Sequence, residues 1–305
     1  MRGKPTVTTL LLTMLVLAAC ASDKPTVAVQ KDARNFEQRA FEYYYRGDME
    51  NAIYYFEKAL ERDHVVNNLP GIAADLHNMA RCYVHLGFDE NAKKLLSEAA
   101  EINRTIANLS GTADNYILLA NINSKRGDYD AALDLLQKSA ELYGEDRNRS
   151  GTGTALNNMG SIYLKQGEYE RAFDAIDDAI SLHRKEKNHG GLAAAYNNMG
   201  YLYELTGRKD DAIQYYKLAL EEDKFIENSL GISSDLHTIA EFYKNSGDFE
   251  NALFYYKRAA EVNRRLELAK RLRDDLVNIV DILAAMGREE EKEVFEQALR
   301  ELEGI

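Results

Sequence analysis

Apolar residues return along this chain at i, i+3, i+4 and i+7, the stripe of an amphipathic helix. Between Gly151 and Gly167 the stripe is Leu156, Met159, Gly160 and Tyr163, and the same columns hold Leu76, Met79, Ala80 and Tyr83, then Tyr196, Met199, Gly200 and Tyr203. A second stripe follows each first one: Ala172, Ile176 and Ala179, matched by Ala212, Tyr216 and Ala219 and by Ala252, Tyr256 and Ala259. The pattern therefore predicts two helices, A and B, in every 40 residues. Asn157 to Tyr163 and Asn197 to Tyr203 are near copies at that interval, and Gly47, Gly87, Gly127, Gly167, Gly207, Gly247 and Gly287 keep the same step. A period in this range marks a stacked array of supersecondary units, so the fold expected is all-α, with about seven helix-turn-helix repeats over residues 35–305.

The turns carry their own signals. Gly167 and its equivalents permit the positive φ that ends helix A, and Asp48, Asp128, Glu168 and Asp248 follow them, where a carboxylate suits a helix N-terminus. A second series, Gly71, Gly111, Gly151, Gly191 and Gly231, closes an Asn-x-x-Gly loop between repeats. Its asparagines, Asn68, Asn108, Asn148, Asn188 and Asn228, are read as left-handed C-caps of helix B. Small residues at Ala40, Ala80, Ala120, Gly160, Gly200 and Ala240 imply close helix approach.

Gly160, Tyr163, Gly167, Tyr169, Ala172 and Ala179 resemble the tetratricopeptide repeat signature, and the resemblance covers residues 35–302. It implies a right-handed α-α superhelix that acts as a protein-interaction scaffold and not as an enzyme. The repeat length of 40 departs from the usual 34 and resembles the variants that bind extended peptides, whose Asn-Leu-Gly motif is similar to Asn158-Met159-Gly160. The first copy, with Arg39, and the last, with Phe295 and Ala298 shifted by one residue, are degenerate as capping copies should be.

The N-terminus is a separate matter. Two basic residues, an apolar run over residues 7–18 and Leu17-Ala18-Ala19-Cys20 form a leader too short to span a bilayer of about 30 Å. The last four residues resemble the lipobox of bacterial lipoproteins. That resemblance implies a signal peptide over residues 1–19, cleavage before Cys20, and lipidation of Cys20 as the membrane anchor. Residues 20–34 are expected as the lipidated cysteine followed by a polar tether of 14 residues, 21–34, reaching at most about 48 Å if extended. Ala21, rather than an aspartate, follows the cysteine and points to the outer membrane, facing the periplasm.

Charge narrows the partners. The net charge of −12 argues against a nucleic-acid backbone, which needs clustered lysine and arginine. In the resembled family, ligands lie on the concave face of helices A. The residues offset from the core stripe there include Asn78, Arg81, Asn121, Lys125, Asn157, Asn158, Ser161, Lys165, Asn197, Asn198, Tyr201 and His237. Amides offer donor and acceptor together, so a ladder of them can read a peptide backbone; equally, they can tie neighbouring helices. The carboxylate clamp for chaperone tails is not expected, because Ala74, Asp114, Thr154, Ala194 and Ser234 stand where its basic residues would.

Other reactive types suggest no site. Cys82 shares a column with Ile122, Ile162 and Leu202 and reads as a buried structural thiol. The six histidines never fall at metal spacing, so neither metal nor cofactor nor small-molecule substrate is expected. Two functions remain open: capture of a peptide segment of an envelope protein in the groove, or a structural part in assembling pili, secretins or outer-membrane complexes through repeat edges and the convex face.

Overall fold

A computed structural model describes the backbone of residues 7–304 and the side chains of residues 26–302 and Gly304. The periodicity is realised as seven helical hairpins: α1 (Val7–Arg46) with α2 (Met49–Val65), α3 (Leu69–Leu86) with α4 (Asp89–Thr105), α5 (Leu109–Lys125) with α6 (Tyr129–Glu145), α7 (Arg149–Gln166) with α8 (Tyr169–Lys185), α9 (His189–Leu205) with α10 (Lys209–Phe225), α11 (Ser229–Asn245) with α12 (Phe249–Arg265), and α13 (Ala269–Ala285) with α14 (Glu289–Glu303). No strand occurs among the described residues, and the fold class is a helical solenoid. The helices fall into two compact units, Met1–Asn115 and Tyr116–Ile305, with the boundary inside α5.

The turn inside each hairpin forms as the sequence predicts. Gly47, Gly87, Gly127, Gly167, Gly207, Gly247 and Gly287 all take φ between 70° and 82°. Asp48, Asp128 and Asp248 cap the following helix through the backbone N–H three residues on, whereas the longer Glu168 makes no cap bond.

The turn between hairpins differs from its sequence reading. Asn148, Asn188 and Asn228 are not left-handed C-caps; each sits near φ −80° as the N-cap of the next helix A and accepts the N–H of the glycine three residues later. The left-handed residue lies one position earlier and is never glycine: Asn67, Ala107, Arg147, Lys187, Glu227 and Glu267, with φ of 52° to 58°. Three backbone bonds hold this turn in the Arg147 copy, Arg147 N to Gly144 O at 3.1 Å, Asn148 N to Tyr143 O at 2.8 Å and Arg149 N to Arg147 O at 3.2 Å. They outweigh the roughly 1–2 kcal/mol that a side chain loses in that conformation. The glycine series 71, 111, 151, 191 and 231 is likewise inside helix A and not in the loop. A Cβ at Gly151 would come within 2.3 Å of the Tyr143 ring, and one at Gly191 within 2.4 Å of His183.

Residues 20–34 lie within α1 and are helical over that whole stretch, although the sequence suggests an extended tether. Val29, Ala33, Phe36 and Ala40 follow the helical spacing; Ala33 and Ala40 are buried, and Ala33 stands one period before Ala73. As helix, 14 residues span about 21 Å instead of about 48 Å. Residues 1–6 and the Cys20 side chain lie outside the described residues, so the lipobox reading meets no structural observation. Among the described residues no helix is long and apolar enough to cross a membrane.

Each unit has its own core. In Met1–Asn115, Ala40, Ala52, Phe56, Met79 and Cys82 pack together, and burial pushes the Cys82 thiol up to about 11, which fits a structural cysteine. In Tyr116–Ile305, one cluster runs through Ala172, Ile176, Met199, Ala212, Tyr216 and Leu236. The small columns are the tightest points. A Cβ at Gly160 would meet Ile176 Cγ1 at 2.5 Å, and one at Gly200 would stand 2.7 Å from Tyr216 and 3.2 Å from the Ala212 carbonyl. Ala172 and Ala212, on the helix B side of these contacts, are fully buried. Ala172→Leu is expected to overpack this contact and cost about 1–3 kcal/mol, read as a lower urea midpoint at unchanged slope.

Candidate binding face of helices A

The predicted residues project from α3 in the first unit and from α5, α7, α9 and α11 in the second. Their columns behave in two different ways. One joins successive helices A at three places: His77 Nδ1 meets Asn115 Oδ1 at 2.8 Å, Asn197 Nδ2 donates to Asp235 Oδ1 at 2.6 Å, and His237 Nδ1 meets Asp275 Oδ1 at 2.7 Å. Asn157, also in this column, is buried and accepts from Asn198 Nδ2 at 2.9 Å. Asn157, Asn197 and His237 are therefore stack-joining groups in this structure, the second of the two roles that the sequence leaves open for amides.

Two neighbouring columns, 121/161/201 and 158/198, retain hydrogen-bonding capacity. Asn121 is exposed, Asn158 and Ser161 are half-buried, and none of the three has a side-chain partner among the described residues. Asn198 spends its amide nitrogen on Asn157, so its carbonyl oxygen remains available. Tyr201 is 46% exposed on the same helix face. Lys165 is held by Ser124 Oγ at 3.0 Å, and Lys125 is exposed on α5. In the first unit, Arg81 Nη1 donates to Asn78 Oδ1 at 3.4 Å while Nη2 donates to the Tyr44 hydroxyl at 3.2 Å, and the guanidinium lies 4.7 Å from the Tyr44 ring centre.

Depressions form beside the two histidines of the joining column. One, of about 320 Å³, is lined by Ala73, His77, Asn78, Asn103, Asp114 and Asn115, among others. Another, of about 250 Å³, is lined by the corresponding Ser233, His237, Thr238, Asn263 and Asp274 with Arg271. The second presents mostly polar surface and the first somewhat more apolar than polar surface, and neither is enclosed, as suits side-chain recognition more than enclosure of a small molecule.

The electrostatics follow from the pairing. Burial holds His77 and His183 below the usual imidazole value. His237 is raised instead, because its hydrogen bond to Asp275 outweighs desolvation. Burial raises Asp235 to about 7 although Asn197 donates to it. These buried acids were not legible as such, since the sequence shows only a surplus of acidic residues.

Family models of the tetratricopeptide repeat match residues 72–145 and 151–221, and further ones match 33–63 and 236–265. The chain belongs to the tetratricopeptide repeat family, a class of protein-interaction scaffolds. No curated protein matches it. Among solved structures, a Rap protein complexed with Competence and Sporulation Factor is similar at a TM-score of 0.65 and 16% identity, over 90% of this chain and 75% of that one. Aspartyl phosphate phosphatase F from Bacillus subtilis gives 0.63 and 16%, over 99% and 76%. BtubC from P. vanneervenii gives 0.53 and 18%, over 79% and 92%. At these identities the likeness is one of fold.

The His237 pair makes stability depend on pH. A histidine raised on folding contributes fully below its unfolded value of about 6.5 and loses that contribution as pH rises through the folded value. His237→Asn copies the Asn197–Asp235 pair and keeps a donor without the titration. Wild type is expected to exceed this variant in Tm by more at about pH 6 than at about pH 8; equal differences at both would exclude the charged pair.

Proposed function

We propose that this protein is a lipid-anchored scaffold of the bacterial envelope that captures an extended peptide segment of another envelope protein on helices A of residues 116–305. The observation that carries the reading is a pair of adjacent columns, Asn121, Ser161 and Tyr201 in one and Asn158 with the Asn198 carbonyl in the other, which keep polar capacity outside the bonds that join the stack. Peptide groups present one donor and one acceptor per residue, and amides and hydroxyls answer both without demanding a particular side chain. That a Rap protein of this fold is complexed with Competence and Sporulation Factor is in keeping with ligand capture by such a stack. The reading is non-enzymatic: the Cys82 thiol is buried with a raised pKa, and His77, His183, His189 and His237 are each engaged with a neighbouring side chain. Neither cofactor nor nucleic acid is part of it.

Asn121→Ala with Asn158→Ala is expected to weaken capture about tenfold or more, at about 0.5–1.5 kcal/mol for each bond, and to leave the fold intact because neither amide is used in the stack. The measurement is crosslinking in intact cells followed by mass spectrometry, then pull-down of the identified partner with wild type and variant. The assembly-subunit reading is favoured by Tyr54 and Phe254 on helices B, which are 50% and 54% exposed, whereas Tyr55 and Tyr255 stack on Tyr43 and Tyr243 and Tyr215 packs at a tilt against Tyr203. A partner lost with Phe254→Ala and retained by the amide variant would decide for assembly. For the anchor, Cys20→Ser is expected to abolish acyl labelling and to leave the leader uncleaved. A variant that still labels and matures would refute lipidation at Cys20, and fractionation separates outer from inner membrane.

A further inference from the structure

Among the acids that face the joining column from the next helix A, one is an exception, in the first unit. Where Asp235 and Asp275 lie buried on helix A, a donor from the preceding helix A meets each, Asn197 in one case and His237 in the other. Asp75 occupies the same column, and the residue 38 positions before it is Glu37, which has no proton to give when ionised. Asp63, at the end of α2, completes a group whose ligand oxygens all lie within 4.8 Å of one another. Asp75 is 0% exposed and Asp63 1%, yet both oxygens of Asp75 and Oδ2 of Asp63 have no hydrogen-bond partner. Asn68 Nδ2 reaches only the other oxygen of Asp63, at 3.1 Å.

Buried carboxylate oxygens in this state are costly unless something neutralises them. A cation among the three residues takes one oxygen from each and offsets the charge that burial makes costly. We infer that Glu37, Asp63 and Asp75 form a binding site for a hard divalent cation, best matched by Ca2+, which clamps α1 to α2 and α3. The donors are all oxygen, which selects against softer metals. Ca2+, the larger ion, accepts irregular sets of protein oxygens, whereas Mg2+ demands near-ideal octahedral geometry and keeps several of its waters, which suits a buried group less well. Gly71 leaves the room: a Cβ there would lie 1.7 Å from Asp63 Oδ2. Carboxylates bind the ion in their deprotonated form, so binding should tighten with rising pH.

The test uses the full chain freed of metal by a chelator, with Tm and titration calorimetry in CaCl2 or MgCl2 at about 1 mM, a concentration that loads weak calcium modules. Wild type is expected to gain at least about 3 °C in Ca2+ and to show saturable heat. Asp75→Asn, which copies Asn115 one period on, should lose the response and melt no lower than metal-free wild type. Should that variant fail to fold, Glu37→Gln provides the same readout. No response of wild type to Ca2+, or an undiminished response in the folded variant, overturns the site; a response to Mg2+ alone overturns the size assignment.

Discussion

Close approach of helix A to helix B within each hairpin is the constraint from which the rest of the structure follows. At Gly160 and Gly200 there is no room for a methyl group, and the facing Ala172 and Ala212 are fully buried. Interiors packed to this density do not yield by the width of one carbon, so each hairpin has a single way to close. Both helices must then be of fixed length between turns that do not vary, and the strict 40-residue period is the outcome. The exposed faces are free of this constraint, and there the sequence drifts from one copy to the next.

Packing within hairpins does not by itself align one hairpin on the next, because an apolar face can slide. The joining column supplies the alignment. His237 with Asp275 and Asn197 with Asp235 place a directional bond between successive helices A, in a buried setting where a lost partner is expensive. Ser233, Asn263 and Asp275 extend one of these bonds into a chain, Ser233 donating to Asn263 and Asn263 donating to Asp275 at 2.7 Å. Such polar groups specify a register more than they add stability.

The helices, the hairpin turns and the aspartate caps were legible because each depends on residue type at a fixed spacing, and the period repeats the signal. The turn between hairpins was misread by one residue. Asparagine serves at both a C-cap and an N-cap, and the left-handed position is filled by Asn, Ala, Arg, Lys and Glu, which carry no shared signal. Its conformation is imposed by backbone bonds to the preceding helix. The inter-repeat glycines were seen as loop residues, whereas they make room for Tyr143, His183 and Asp223 at the end of helix B. Helix α1 was underread because its stripe upstream of Asn35 rests on Val29 and Ala33, two modest residues among charges.

The binding face was legible as a set of columns and not as a division of labour among them. Asn157 and Asn158 are adjacent and chemically identical, yet one is buried and bonded to Asn198 while the other is half-buried and has no partner. What separates them is a rotation of about 100° about the helix axis, which turns one amide toward the next repeat and the other toward the open face. Any ligand must therefore be read by groups that the stack does not need. In a repeat protein the residues that recur most faithfully are bound to those that hold the copies together, so the specificity of the open face has to come from its less regular members: Asn121, Ser161 and Tyr201 share one column and carry three different side chains.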